Sequence, residues 1–216
     1  MQQFVLIEKS KAENAIETLE EKYKNTKYYL NFNSPLELLV AAILSAKTKD
    51  TVVNAITPAI FNKYKRVEDF ASADPSELLN YSKRVSFAEN KVKNIITCCK
   101  IIKEKYNGKV PDNMESLLSL PGVGRKTANT ILINAFGIIE GIPVDTWVIK
   151  LSYRIGLSES KKPDEIENDL KKIVDKKYWK NFAYVLKEHG HQICQSTKPK
   201  CEICPIKDIC PKNGVK

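Results

Sequence analysis

Four cysteines crowd the last stretch of this chain, at Cys194, Cys201, Cys204 and Cys210. Their spacing, C-x6-C-x2-C-x5-C, puts four potential thiolates in one short loop, enough to enclose a metal centre. Zinc is the generic occupant of such a set. Four-cysteine zinc sites usually show two close pairs, however, and only Cys201 and Cys204 form one here. In a reducing cell, clustered cysteines are more often ligands than disulfides. Pro199, Pro205 and Pro211 stiffen the loop, and Lys198, Lys200 and Lys207 make it basic, a surface suited to phosphates. The remaining pair, Cys98 and Cys99, sits in an apolar periodic run and is assigned to core and helix surface, away from metal.

A second constellation runs from Leu117 to Ala128, LLSLPGVGRKTA. A short helix ends near Leu120, Pro121-Gly122-Val123-Gly124 makes a tight turn, and a second helix runs from about Arg125 to Phe136. Glycines let a backbone come close to a ligand. The N–H groups that open the second helix favour an anion, and Arg125 adds a full charge. Such a contact, made to a phosphate, is blind to base sequence. Lys126 lies just inside that helix. It reads either as a solvated helix lysine or as an amine nucleophile, which must be neutral to attack. Further on, Val144-Asp145-Thr146 follows Pro143. Asp145 there can cap a helix, or serve as a general base or a stabiliser of positive charge.

Helices must position these groups. Ser34-Pro35-Leu36-Glu37 and Asp74-Pro75-Ser76-Glu77 are helix starts with a cap, a first-turn proline and a carboxylate able to bond back to the cap. Leu36, Leu39, Val40, Ile43 and Leu44 share one helical face. Val92, Ile95, Ile96, Cys99 and Ile102 form another stripe, which Asn107-Gly108 stops; Ile166, Leu170, Ile173 and Val174 form a third. Pro58 is expected to kink or shorten the helix that Asp50 starts. No sustained period-two alternation marks a strand, so the fold class is all-α. The 216 residues are 43% hydrophobic, enough for one large domain or two small interlocked ones, with a border near Gly137 to Pro143. The net charge of +9 favours a polyanionic partner, nucleic acid ahead of anionic membrane. No apolar run is long enough to span a bilayer, and the first residues lack the order of a signal peptide; an intracellular, cytoplasmic monomer is expected.

Taken together, the LPGVGRKTA string, the Val-Asp-Thr string and the cysteine spacing resemble the endonuclease III family of helix-hairpin-helix DNA glycosylases. The resemblance runs from Phe32-Asn33-Ser34-Pro35 to Cys210. It implies two helical lobes, residues 28–139 with the hairpin and residues 1–27 plus 140–216 with a [4Fe–4S] cluster on the four cysteines, binding duplex DNA across a cleft. It implies that Lys126 attacks the sugar C1′ of a damaged pyrimidine nucleotide or abasic site and forms a Schiff base, with Asp145 assisting, before β-elimination cuts the strand. Gly122, Gly124 and Arg125 then contact phosphate. Three positions depart from the family's habit. Lys47 stands where glutamine commonly fills the gap left by the flipped nucleotide, and reads as entering the stack or as turning to a phosphate; Ser86-Phe87 stands where many members have Gly-Leu, and Trp147 where a histidine is common. Phe87 reads as a wedge into the opposite strand or as a core residue; Trp147 reads as part of the base pocket or as core filling. A uracil or thymine mismatch glycosylase of the same superfamily, which the departures at Lys47, Ser86 and Trp147 leave open, and a non-catalytic DNA-binding module are the alternatives; Lys126 argues against a purely monofunctional enzyme, and Lys126 with Asp145 against the module.

Overall fold

Ser34 accepts a bond from the Glu37 N–H at 3.2 Å and opens a helix, as its sequence context dictates. The computed structural model describes residues 3–215, and every regular element among them is helical. In chain order these are α1 (Lys9–Lys22), α2 (Pro35–Ser45), α3 (Asp50–Lys63), α4 (Val67–Ala71), α5 (Pro75–Ser82), α6 (Ala88–Lys105), α7 (Met114–Leu118), α8 (Arg125–Ile131), α9 (Thr146–Ile155), α10 (Pro163–Ile173) and α11 (Phe182–Gln192). No described helix is long and apolar enough to cross a membrane. The chain divides into two compact units, one spanning Tyr29–Ile138, the other joining the chain up to Tyr28 with the chain from Ile139 onward.

In the Tyr29–Ile138 unit, α2 is the central element. Leu36 and every residue from Leu38 to Leu44 are buried, more than one stripe, because α3, α6 and α8 all pack on it. Glu37 does not return a bond to Ser34; its Oε2 accepts instead from the Asn33 N–H, one residue earlier. Asp74 caps α5 through the Glu77 N–H at 2.8 Å. Pro58 does not shorten α3, which runs fourteen residues through it. The ring lies on the exposed face, while Val53, Ile56 and Ile60 are buried and hold the helix to its neighbours. On α6, Cys98 and Cys99 are both buried, which places the pair in the core with neither on the helix surface. The helix that follows the hairpin also departs from expectation. After Ile131 it widens into a π turn, Leu132–Phe136, and Asn134 donates from its side-chain amide to the Thr130 carbonyl. Gly137, at φ +70°, ends it.

In the other unit, α1 packs against α10 and α11, and α9 against α10 and α11. The segment before α1 is tied down by backbone bonds. Ile7 N–H donates to the Gly156 carbonyl, and Asn213 holds Val5 from both sides, donating to its carbonyl at 2.8 Å and accepting from its N–H at 2.9 Å. Gly156 ends α9 at φ +84°, and a Cβ there would lie 2.6 Å from the Val5 carbonyl oxygen. Gly156→Ala therefore combines a left-handed alanine with a clash against backbone. It is expected to cost about 2 kcal/mol or more, lowering the thermal midpoint by roughly 4–8 °C at a fixed scan rate.

Candidate functional site

The hairpin is built around three buried apolar residues, Leu117, Leu120 and Val123. Asn113 starts α7 by accepting from the Ser116 N–H. Gly122 carries the turn at φ +83°, where a Cβ would press on the Asn94 side chain of α6 at 3.1 Å. Gly124 differs. Its φ is ordinary, and a Cβ there would meet nothing within 4 Å. Among the described residues nothing crowds this glycine, so the backbone at the turn is open to an approach from outside. Gly124 is the N-cap of α8 and offers no side chain to the first turn; Arg125 and Lys126 follow directly.

Lys126 is half-buried, and its Nζ donates to the Tyr29 hydroxyl at 3.3 Å. The same ammonium lies 6.0 Å from the Tyr29 ring centre. Tyr29 is itself held, because the Asn54 amide of α3 donates to its carbonyl at 2.8 Å and accepts from the Asn31 N–H at 2.9 Å. An aromatic hydroxyl fixed on a clamped strand of backbone thus orients the amine. No local pattern points to Tyr29, since the contact joins residues 97 apart.

Lys47 and Phe87 come together in the same unit. Lys47 Nζ sits over the Phe87 ring, 5.5 Å from its centre. Both residues have left-handed backbones, at φ 54° and 57°, and both side chains are exposed, Phe87 at 63%. That exposure rules out a core role for Phe87.

Asp145 belongs to the other unit, at the N-cap of α9. Its Oδ1 accepts from the N–H groups of Trp147 and Val148, at 2.8 and 2.9 Å. Capping is therefore real, but it uses one oxygen only; Oδ2 has no hydrogen-bond partner among the described residues. Trp147, next but one in the chain, stands edge-on to His191 at 4.9 Å between centres. Its indole occupies the space a side chain at Gly190 would need.

The four cysteines line one cavity of about 20 Å³, and none is in a disulfide. No three His, Cys, Asp or Glu among the described residues are placed to hold a single ion. Four cysteine sulfurs lining one space are the donor set of an iron–sulfur cluster. Burial pushes the thiols of Cys194, Cys204 and Cys210 upward, the last to about 11, and Arg154 beside Cys194 pulls the other way. Thiolates in such surroundings need a cationic centre. Arg154, itself buried, sets the entrance of the loop by donating to the carbonyls of Cys194, Gln195 and Ser196 and to the Cys194 sulfur at 3.4 Å. His189 Nε2 lies 3.6 Å from the Cys204 sulfur, with its Nδ1 paired to the Tyr23 hydroxyl. Lys198, Lys200 and Lys207 are exposed around this frame.

Comparison with known proteins adds independent findings. Residues 40–176 match the family described as HhH-GPD superfamily base excision DNA repair protein, and residues 194–210 match the iron-sulfur binding domain of endonuclease III. The chain is 41% identical to endonuclease III of Synechocystis sp. over 94% of its own length and 93% of that protein's. It is 37% identical to endonuclease III of Bacillus subtilis, covering 92% and 90%. Among solved structures it is similar to a trapped endonuclease III–DNA covalent intermediate, described as an estranged-adenine complex. The TM-score is 0.91, with 32% identity over 96% of this chain and 97% of the other. A thermostable thymine-DNA glycosylase shares the fold, at a TM-score of 0.84 and 24% identity over 94% and 96%.

Proposed function

Because the chain belongs to the endonuclease III family within the HhH-GPD superfamily of base excision DNA repair proteins, we propose that it is a bifunctional DNA glycosylase and abasic-site lyase. Its partner is duplex DNA carrying a damaged base or an abasic site, and it acts inside the cell as a monomer. The observation that carries this reading is the half-buried amine of Lys126, oriented by Tyr29 and set directly after an unencumbered glycine turn. The likeness to an endonuclease III trapped covalently on DNA supports it.

In this mechanism the damaged nucleotide leaves the stack, at the cost of some base stacking. Gly122, Gly124 and Arg125 grip a backbone phosphate. Lys47 enters the space the nucleotide vacates, and Phe87 wedges into the opposite strand. Neutral Lys126 attacks C1′ and forms a C–N bond as the glycosidic bond breaks, its electron pair leaving with the base. The free oxygen of Asp145 stabilises the positive charge that grows on the sugar and takes the proton the amine must shed. Opening of the sugar ring leaves a Schiff base. Loss of a C2′ proton then expels the 3′ phosphate by β-elimination. Cys194, Cys201, Cys204 and Cys210 would hold a [4Fe–4S] cluster, which braces the loop that presents Lys198, Lys200 and Lys207 to the backbone. The substrates are oxidised or ring-saturated pyrimidines.

A panel of duplexes tests the reading, each with one lesion or mismatch and each assayed with and without alkali. Strand breaks without alkali at oxidised pyrimidines and abasic sites are the expected result. Breaks only after alkali, confined to uracil or thymine opposite guanine, would replace it with a monofunctional mismatch enzyme. The purified protein should be yellow-brown, with iron and acid-labile sulfide in equal amounts; colourless protein holding zinc would overturn the cluster.

A further inference from the structure

Lys91 is a buried cation with an unusual set of partners. It lies on α6, 5% exposed, and its Nζ donates to the Leu44 carbonyl at 2.7 Å, the Ala46 carbonyl at 2.6 Å and the Thr48 hydroxyl at 3.0 Å. Three donors meet three oxygens, so the ammonium is fully satisfied. Burial still disfavours the charge and pulls the ammonium down to about 8. Ending α2 does not by itself require a buried charge; a glycine past its last turn would do so at less cost.

The partners show what the cation is for. Ala46 and Thr48 flank Lys47 in the chain. Thr48 Oγ1 also accepts from the Ser86 N–H at 3.0 Å, and Ser86 precedes Phe87. The backbone N–H of Lys91 donates to the Phe87 carbonyl at 3.1 Å. Lys91 is thus bonded on both sides of Lys47 through its side chain and to Phe87 through its main chain. Lys47 and Phe87 are non-glycine residues in the left-handed region, which persists only where the surroundings over-determine it. Two exposed side chains on left-handed backbones, in contact with each other, thus share one buried cation.

We propose that Lys91 is a positioning residue that locks Lys47 and Phe87 into a paired probe of the DNA stack. The proposal rests on the reading that these two side chains enter the DNA stack where the nucleotide has left it. A rigid probe loses little freedom on insertion, so the device raises the preference for a gapped stack over an intact one.

The test is a double-mutant cycle on the cluster-loaded enzyme. Affinity is measured for a duplex with a tetrahydrofuran abasic analogue and for the intact duplex, with 2-aminopurine opposite the analogue to report unstacking. Lys91→Met is expected to lower the ratio of the two affinities by about tenfold, which is ~1.4 kcal/mol, and to suppress the 2-aminopurine signal. Borohydride trapping on single-stranded abasic DNA, where there is no gap to fill, should stay at the wild-type level. In a Lys47→Ala/Phe87→Ala background, Lys91→Met should cost nothing more. A full further loss in that background, or an unchanged ratio in the single variant, overturns the positioning role. If Lys47→Ala/Phe87→Ala itself leaves the ratio unchanged, the reading of the pair as DNA probes falls, and this proposal with it. Thr48→Val, which removes a neutral bridge on an exposed loop, runs the same cycle should Lys91→Met fail to fold.

Discussion

Lys126→Gln enzyme, loaded with its cluster, is expected to give no covalent adduct when incubated with abasic-site duplex and borohydride. Glutamine keeps most of the side chain's length and a donor for the Tyr29 hydroxyl, so that contact should stay formed and DNA affinity should change little. The loss falls on chemistry. Without an amine there is no Schiff base, and strand cleavage should drop by about 10³-fold or more, at least ~4 kcal/mol of transition-state stabilisation. Tyr29→Phe is the graded companion. It removes the hydroxyl that Lys126 Nζ reaches at 3.3 Å while keeping the ring beside the ammonium, so it should slow cleavage by about tenfold. A Lys126→Gln protein that still traps as much DNA as wild type would move the nucleophile elsewhere and end this mechanism.

What the sequence revealed and what it withheld follow from the range of the interactions. The hairpin and the cysteine loop are each carried by a short contiguous stretch, and the caps at Ser34 and Asp74 act within three residues of themselves. Composition and spacing therefore exposed them. Tyr29, Lys91, Arg154 and Asn213 act on residues 40 or more positions away, so no local pattern points to them. Lys91 left one trace. It lies on the stripe it shares with Ile95, Cys98 and Ile102, where an unpaired lysine would be out of place. The left-handed backbones of Lys47 and Phe87 were unreadable because neither is glycine, and tertiary bonds enforce a conformation that propensity opposes. Pro58 misled for the opposite reason: its rule concerns the helix alone, while the buried face of α3 decides the outcome.

Asp145 is the position where a stability effect and a catalytic effect can be separated by choice of substitution. Asp145→Asn keeps an oxygen for the Trp147 and Val148 N–H groups, and asparagine caps as well as aspartate does. The thermal midpoint should therefore stay near wild type. The charge, however, is gone. Release of a damaged base should fall by about 10²- to 10⁴-fold, the range expected when a positioned acid–base group is lost. Cleavage at a pre-formed abasic site should fall less, because no base remains to depart and less positive charge develops on the sugar. Asp145→Ala removes cap and charge together. It should match the asparagine variant in activity and lose about 1 kcal/mol of stability besides, a drop of roughly 2–4 °C in a chain of this size. Asp145→Ser restores a capping oxygen without a charge and should recover the midpoint but not the rate. If Asp145→Asn releases bases at the wild-type rate, the carboxylate is a cap and nothing else, and the charge that grows on the sugar must be met by another group.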